Sequence, residues 1–192
     1  GVQGRSSSSF AIPNSLLQLR MIAAIDARLA KAPYYGEGLM REWLTLLIPL
    51  DHFEDDASPG FLINPYTGEE MQFDRLYPPD VAFEFNGPQH YGPTALYPSE
   101  EQARRQMGRD LIKRGICTNR GIQLVTVHAE DLSLEGMLRL IPNCLPRRNL
   151  DGMDLVIEHL ESLSQKYRQR PLLPPPLPKR NPPGTEAREG VL

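Results

Sequence analysis

Cysteine is scarce in this chain. Cys117 and Cys144 are the only two among 192 residues, and they are far apart. That excludes a disulfide framework and makes a reducing, cytoplasmic setting the expectation. The cysteines and the four histidines show no zinc-ligand spacing. No apolar run approaches the roughly 20 residues that a membrane-spanning helix needs. Gly1 to Ser9 is polar and serine-rich, without the apolar segment of a secretory signal. An excess of positive charge is also missing. The net charge of −3 excludes a generally basic nucleic-acid coat. What remains is an ordinary globular composition, 40% hydrophobic and 23% charged, long enough for one domain with its own core. There is no internal repeat.

The charge is unevenly spread. From Asp51 to Glu84 there are nine acids (Asp51, Glu54, Asp55, Asp56, Glu69, Glu70, Asp74, Asp80, Glu84) against one base, Arg75. From Ser99 to Arg120 the balance reverses, with Arg104, Arg105, Arg109, Lys113, Arg114 and Arg120 against Glu100, Glu101 and Asp110. Two solvated faces of opposite sign would explain this. So would an acidic strand region that holds metal ions beside a basic helix that holds a phosphodiester backbone.

Residues 1–13 are predicted to be disordered. Asn14 or Ser15 opens a helix to about Ala32, with Leu16, Leu19, Ile22, Ala23 and Ile25 as its apolar positions. Pro33 and a Gly36-Glu-Gly38 turn end it. A second helix is predicted from Leu39 to about Ile48, where Leu39, Met40, Trp43, Leu44, Leu47 and Ile48 form one stripe before Pro49. Asn64-Pro-Tyr-Thr-Gly68 is turn chemistry between Phe61-Leu-Ile and Met71-Gln-Phe, so a hairpin is expected there. Pro78-Pro79 breaks the chain before a strand over Val81–Asn86, which Gly87-Pro88 ends. Tyr91 to Pro98 reads as loop. Ser99-Glu-Glu-Gln102 has the form of a capping box and opens a helix to about Thr118. A short apolar strand follows at Ile122–Val127, then helices at Leu132–Leu140 and Gly152–Tyr167. Residues 14–170 thus form one domain. From Pro171 onward seven prolines in 22 residues make a tail without a core of its own.

The strand Val81–Asn86 carries the most information. Val81, Phe83 and Phe85 alternate with Ala82, Glu84 and Asn86, so one face is apolar and the other bears a carboxylate and an amide. A carboxylate among Val, Phe and Ala is costly to bury unless positive charge meets it. A divalent metal beside a phosphate would supply that charge. The crossover from this strand through a helix to Ile122–Val127 makes the two strands parallel neighbours.

These residues together resemble a known superfamily. Asp74, then Glu84-Phe-Asn86-Gly87-Pro-Gln89-His90-Tyr91, then Arg109-Asp110-Leu-Ile-Lys113, then Gly121-Ile-Gln-Leu-Val is similar to the PD-(D/E)XK, restriction-endonuclease-like nucleases. The similarity is closest to the branch with very-short-patch-repair-type and homing-type endonucleases. It covers about Gly38 to Val127, and its strength lies in the constellation rather than in any one piece. The resemblance implies an α/β core, α-β-β-β-α-β, with a mixed central sheet flanked by helices and extra helices at both ends. It also implies two acids on adjoining strands that hold Mg²⁺ or Mn²⁺, a lysine near the attacking water, and DNA as substrate.

Phosphodiester hydrolysis needs an activated water and a group that takes up the charge developing on phosphate. Glu84 is one expected metal ligand. Its partner is Asp74 or Asp80. On a single straight strand Asp80 would lie roughly 13 Å from Glu84, at about 3.3 Å per residue. Asp74, beyond the Pro78-Pro79 bend, can pair across strands and is favoured. Asp80 stays open as a turn residue, or as the ligand if the strand begins late. Asn86 stands where the family has lysine. It can position a water but carries no charge. Lys113, three residues after Asp110 on one helix face, offers a replacement.

Gln89 and His90 sit where a loop can project them over the site, and His90 suits a general acid or a phosphate contact. Glu42, off the apolar stripe, fits the family's first-helix glutamate. Arg104, Arg105 and Arg109 are the expected phosphate contacts. Two rivals stand beside the nuclease: an inactive module that binds nucleic acid or a protein, and an interaction protein working through Pro175-Pro-Leu-Pro-Lys-Arg180. A homodimer would suit double-strand cutting, though no motif argues for one.

Overall fold

A computed structural model describes residues 13–87 and 100–170 of the chain. Helices α1 (Asn14–Lys31) and α2 (Tyr35–Leu47) come first. Strands β1 (Glu54–Ala57), β2 (Phe73–Tyr77) and β3 (Val81–Asn86) follow, then α3 (Glu100–Arg120), β4 (Gln123–His128), α4 (Leu134–Leu140) and α5 (Asp154–Arg168). The four strands make one mixed sheet in the order β1-β2-β3-β4. β1/β2 and β2/β3 are antiparallel, and β3/β4 are parallel across the α3 crossover, as expected from the sequence.

Alternation along the strands divides the protein into two cores. Tyr77, Val81, Phe83, Phe85, Val125 and Val127 face one way and pack with Trp43, Leu44, Leu47, Val156 and Leu160 of α2 and α5. Leu76 and Ala82 face the other way and meet Cys117, Ile112 and Ile116 of α3. The sheet is therefore a middle layer, and among the described residues α3 is the helix on this second side, beside the Phe61–Leu62 segment. Two buried polar side chains are paired across elements, as burial favours. Trp43 Nε1 donates to Ser164 Oγ at 2.9 Å, and Gln18 Oε1 accepts from the Leu155 N–H at 2.8 Å, serving the otherwise open start of α5.

The start of α2, the hairpin around Asn64–Gly68 and the end of α3 differ from the sequence expectation. The Gly36-Glu-Gly38 segment is not a turn but the first turn of α2, which begins at Tyr35. Glycine is needed there by packing: a Cβ on Gly36 would overlap the Phe85 ring and the Tyr167 hydroxyl. The Asn64–Gly68 turn forms, with Asn64 Oδ1 accepting from Tyr66 N–H at 3.0 Å and Gly68 at φ 71°. Its arms, however, pair only through the bridge Ile63↔Glu70. The partner of β2 is instead Glu54–Ala57, an acidic stretch without strand-like alternation. Helix α3 runs two residues past Thr118 and is closed by Gly121 at φ 69°, with Ile122 N–H donating to Cys117 O at 2.9 Å. The predicted Ser99 cap, the loop before it, the N-terminal segment through residue 12 and the proline-rich tail lie outside the described residues.

Candidate active site

The register of the sheet brings the acids together. Arg75 pairs with Phe83 and Leu76 with Ala82, so the antiparallel ladder sets Asp74 opposite Glu84. Directly opposed residues put their side chains on one face, a few ångströms apart. Asp74 Oδ2 also reaches β3 itself, accepting from the Phe85 N–H at 2.6 Å. Asp80, by contrast, is exposed in the turn before β3, with its carbonyl accepting from Gln123 N–H. Of the two aspartates, Asp74 stands beside Glu84.

Lys113 comes from α3 onto the same face. Its Nζ donates to Glu84 Oε1 at 2.8 Å and to the Gln72 carbonyl at 2.6 Å. The lysine side chain is 12% exposed and the glutamate 20%. Glu84, Asn86, Asp110, Lys113, Arg114 and Thr126 line a cleft of about 30 Å³. That is room for one water or a small ion. Asn86 Oδ1 is buried there with no hydrogen-bond partner among the described residues.

The electrostatics follow from crowding. Burial, then the charge of Asp74, pushes the Glu84 carboxyl up to about 8, although Lys113 pulls the other way. Asp74 is also raised. Burial is the chief cause, opposed by the Phe85 N–H and by the charges of Lys113 and Arg41. Two carboxyls that resist joint ionisation are where an added cation gains most.

The sequence reading missed two further acids. Glu37, in the first turn of α2, is pushed up to about 7 by burial and then by Asp74, so it is the glutamate of this helix that faces the site. The signal lay in the Gly36-Glu-Gly38 segment once it is read as helix. Asp56 lies opposite Asp74, because Asp55 pairs with Arg75 and Ala57 with Phe73. Asp56, Asp74 and Glu84 thus cross three strands in one row. Asp56 has φ 51°, the left-handed region that aspartate tolerates better than most residues.

Other expectations are corrected or relocated. Glu42 does not join the acids. Arg28 holds it in a two-pronged pair, Nε–Oε1 2.7 Å and Nη2–Oε2 2.9 Å, on the α1 side of α2. Arg104 and Arg105 are exposed and pair within α3, with Glu100 at 3.6 Å and Glu101 at 2.5 Å. Arg109 pairs with Glu69 at 2.9 Å. Asp110 Oδ1 accepts from Gln106 Nε2 at 3.0 Å and borders the cleft. Gln89 and His90 lie outside the described residues.

The donor set suits a divalent ion that completes its shell from elsewhere. Among the described residues no three His, Cys, Asp or Glu side chains converge into a finished ion site. Asp74 and Glu84 are two, and Mg²⁺ is commonly bound by one or two carboxylates plus phosphate oxygens and waters. The unpartnered Asn86 oxygen adds an acceptor in the cleft that Glu84 lines.

No family model and no solved structure matches the chain. Two curated viral proteins are similar to part of it. The uncharacterized protein 033L of Invertebrate iridescent virus 3 is 37% identical over 73 residues, which is 37% of this chain and 38% of that protein. The uncharacterized protein 094L of Frog virus 3 is 32% identical over 84 residues, 42% of this chain and 54% of that protein. The matches span about half or less of those relatives. Among the described residues no helix is long and apolar enough to cross a membrane.

Proposed function

We propose that this chain is a metal-dependent endonuclease with a restriction-endonuclease-like core that hydrolyses phosphodiester bonds in DNA. One observation carries the reading: Asp74 and Glu84 occupy facing positions on adjacent strands, with Lys113 bonded to Glu84. The order α2-β1-β2-β3-α3-β4 and the parallel β3/β4 pair agree with the core that the sequence resemblance implies. Asp74 and Glu84 would hold Mg²⁺ or Mn²⁺. When bound, the ion supplies an acidified water and stabilises charge on the phosphate.

The chain's own groups do the rest. Lys113 Nζ, the one cation bonded to Glu84 among the described residues, provides the positive charge that Asn86 lacks. Asn86, which lines the cleft with its Oδ1 buried and unpartnered among the described residues, would accept from the attacking water and orient it. The exposed Arg104 and Arg105 offer the backbone phosphates an electrostatic footing.

Incubation of the protein with plasmid and Mg²⁺ or Mn²⁺ tests this. Nicking or cutting that disappears in Glu84→Ala and in EDTA supports the proposal; equal activity in the variant refutes it. A second reading has its own support, since Asn86 is uncharged and Lys113 is already engaged by Glu84 and Gln72. Under it the domain binds nucleic acid without cutting, and salt-sensitive binding with no cleavage in either metal is its outcome.

A further inference from the structure

One guanidinium faces four acidic residues at the α2 end of the row. Arg41 Nη2 lies 2.5 Å from Glu37 Oε1, 2.9 Å from Asp56 Oδ1 and 3.0 Å from the main-chain oxygen of Asp74. Its Nε lies 3.6 Å from Asp55 Oδ1 and is buried without a hydrogen-bond partner among the described residues. The side chain is 20% exposed. An arginine serving only to tie α2 to the sheet would need one of these contacts. Arg41 instead spreads its charge over all of them and leaves one donor unused.

The ladder explains why charge is needed. Asp56, Asp74 and Glu84 stand side by side on three strands, and like charges directly opposite one another destabilise a sheet. Lys113 neutralises the Glu84 end. Among the described residues, Arg41 is the base paired with Glu37 and with Asp56 at the other end.

We propose that Arg41 is the positioning residue of this site. Without a divalent ion it is the internal counter-ion that keeps Glu37, Asp56 and Asp74 together, and by the same charge it weakens the binding of such an ion. The counter-ion role stands on geometry alone, whereas the competition rests on the metal-dependent reading.

The test uses the full chain in EDTA and then with Mn²⁺ alone. In EDTA, Arg41→Gln lowers the melting temperature. Adding Asp56→Asn or Glu37→Gln to that variant restores part of the loss, although neither stabilises the wild type. Arg41→Lys keeps most of the stability. If Arg41→Gln does not fold by itself, the Arg41→Gln/Asp56→Asn pair is expected to fold. Strictly additive losses would reduce Arg41 to a structural tie and overturn the counter-ion role.

Mn²⁺ binding, followed by electron paramagnetic resonance, is expected to tighten in Arg41→Gln at least about fivefold. That is the effect of removing one unit charge about 8 Å from a divalent ion, roughly 1 kcal/mol even under bulk-water screening. Unchanged or weaker binding overturns the competition. If neither protein binds Mn²⁺, the metal reading and the competition fall together, and the EDTA comparison still decides the counter-ion role.

Discussion

Crowded carboxyls make a metal-free protein of this design lose stability as pH rises, and the loss can be worked out from Glu84. Its carboxyl titrates near 8 in the folded chain instead of 4.5, because it is buried and stands beside Asp74. Below pH 4.5 both folded and unfolded chains hold the proton, so the group is neutral in its effect. Between 4.5 and 8 the folded state holds more protons than the unfolded state, and stability therefore falls with pH. Above 8 the full penalty is present. At about 1.36 kcal/mol for each pH unit the ceiling is about 5 kcal/mol, shared with Asp74, whose charge enters the same balance. Glu37, raised to about 7, adds a loss of the same sign over a narrower window. Urea unfolding in EDTA at pH 5 to 9 measures this. The wild-type midpoint is expected to fall across the range, and Glu84→Gln to flatten it without removing the Glu37 share. Saturating Mn²⁺ should restore stability most at the alkaline end. A wild-type midpoint that stays constant, or a Glu84→Gln profile parallel to it, would refute the reasoning.

Other expectations are simpler. Glu37→Ala should reduce plasmid cleavage and Glu42→Ala should leave it near wild type, because Arg28 holds Glu42 outside the acidic row; initial cutting rates decide. Ser164→Ala should cost about 1–3 kcal/mol in chemical denaturation, since it leaves the buried Trp43 N–H without its acceptor. Gly36→Ala should cost about 1–3 kcal/mol by overpacking against Phe85 and Tyr167, with a matching drop in melting temperature.

Much of this protein is local in origin. The period-two alternation of Val81–Asn86 and the 3.6-residue stripe of α2 each report a single face, so both elements are legible one segment at a time. The length of the α3 crossover likewise dictates parallel β3 and β4. Sequence alone therefore determined the order of the helices and of the β3-α3-β4 unit, and the presence of a carboxylate on a strand otherwise built for a core. It did not determine the start of α2, because Gly36 answers to rings of Phe85 and Tyr167 far along the chain. Nor did it determine the partner of β2: Glu54–Ala57 has no alternation and becomes a strand only by pairing. The tertiary register set Asp74, which the sequence already favoured over Asp80, opposite Glu84, drew Asp56 and Glu37 in, and turned Glu42 toward Arg28. Which acids share a site depends on distances across strands, and the chain's linear spacing holds no record of those.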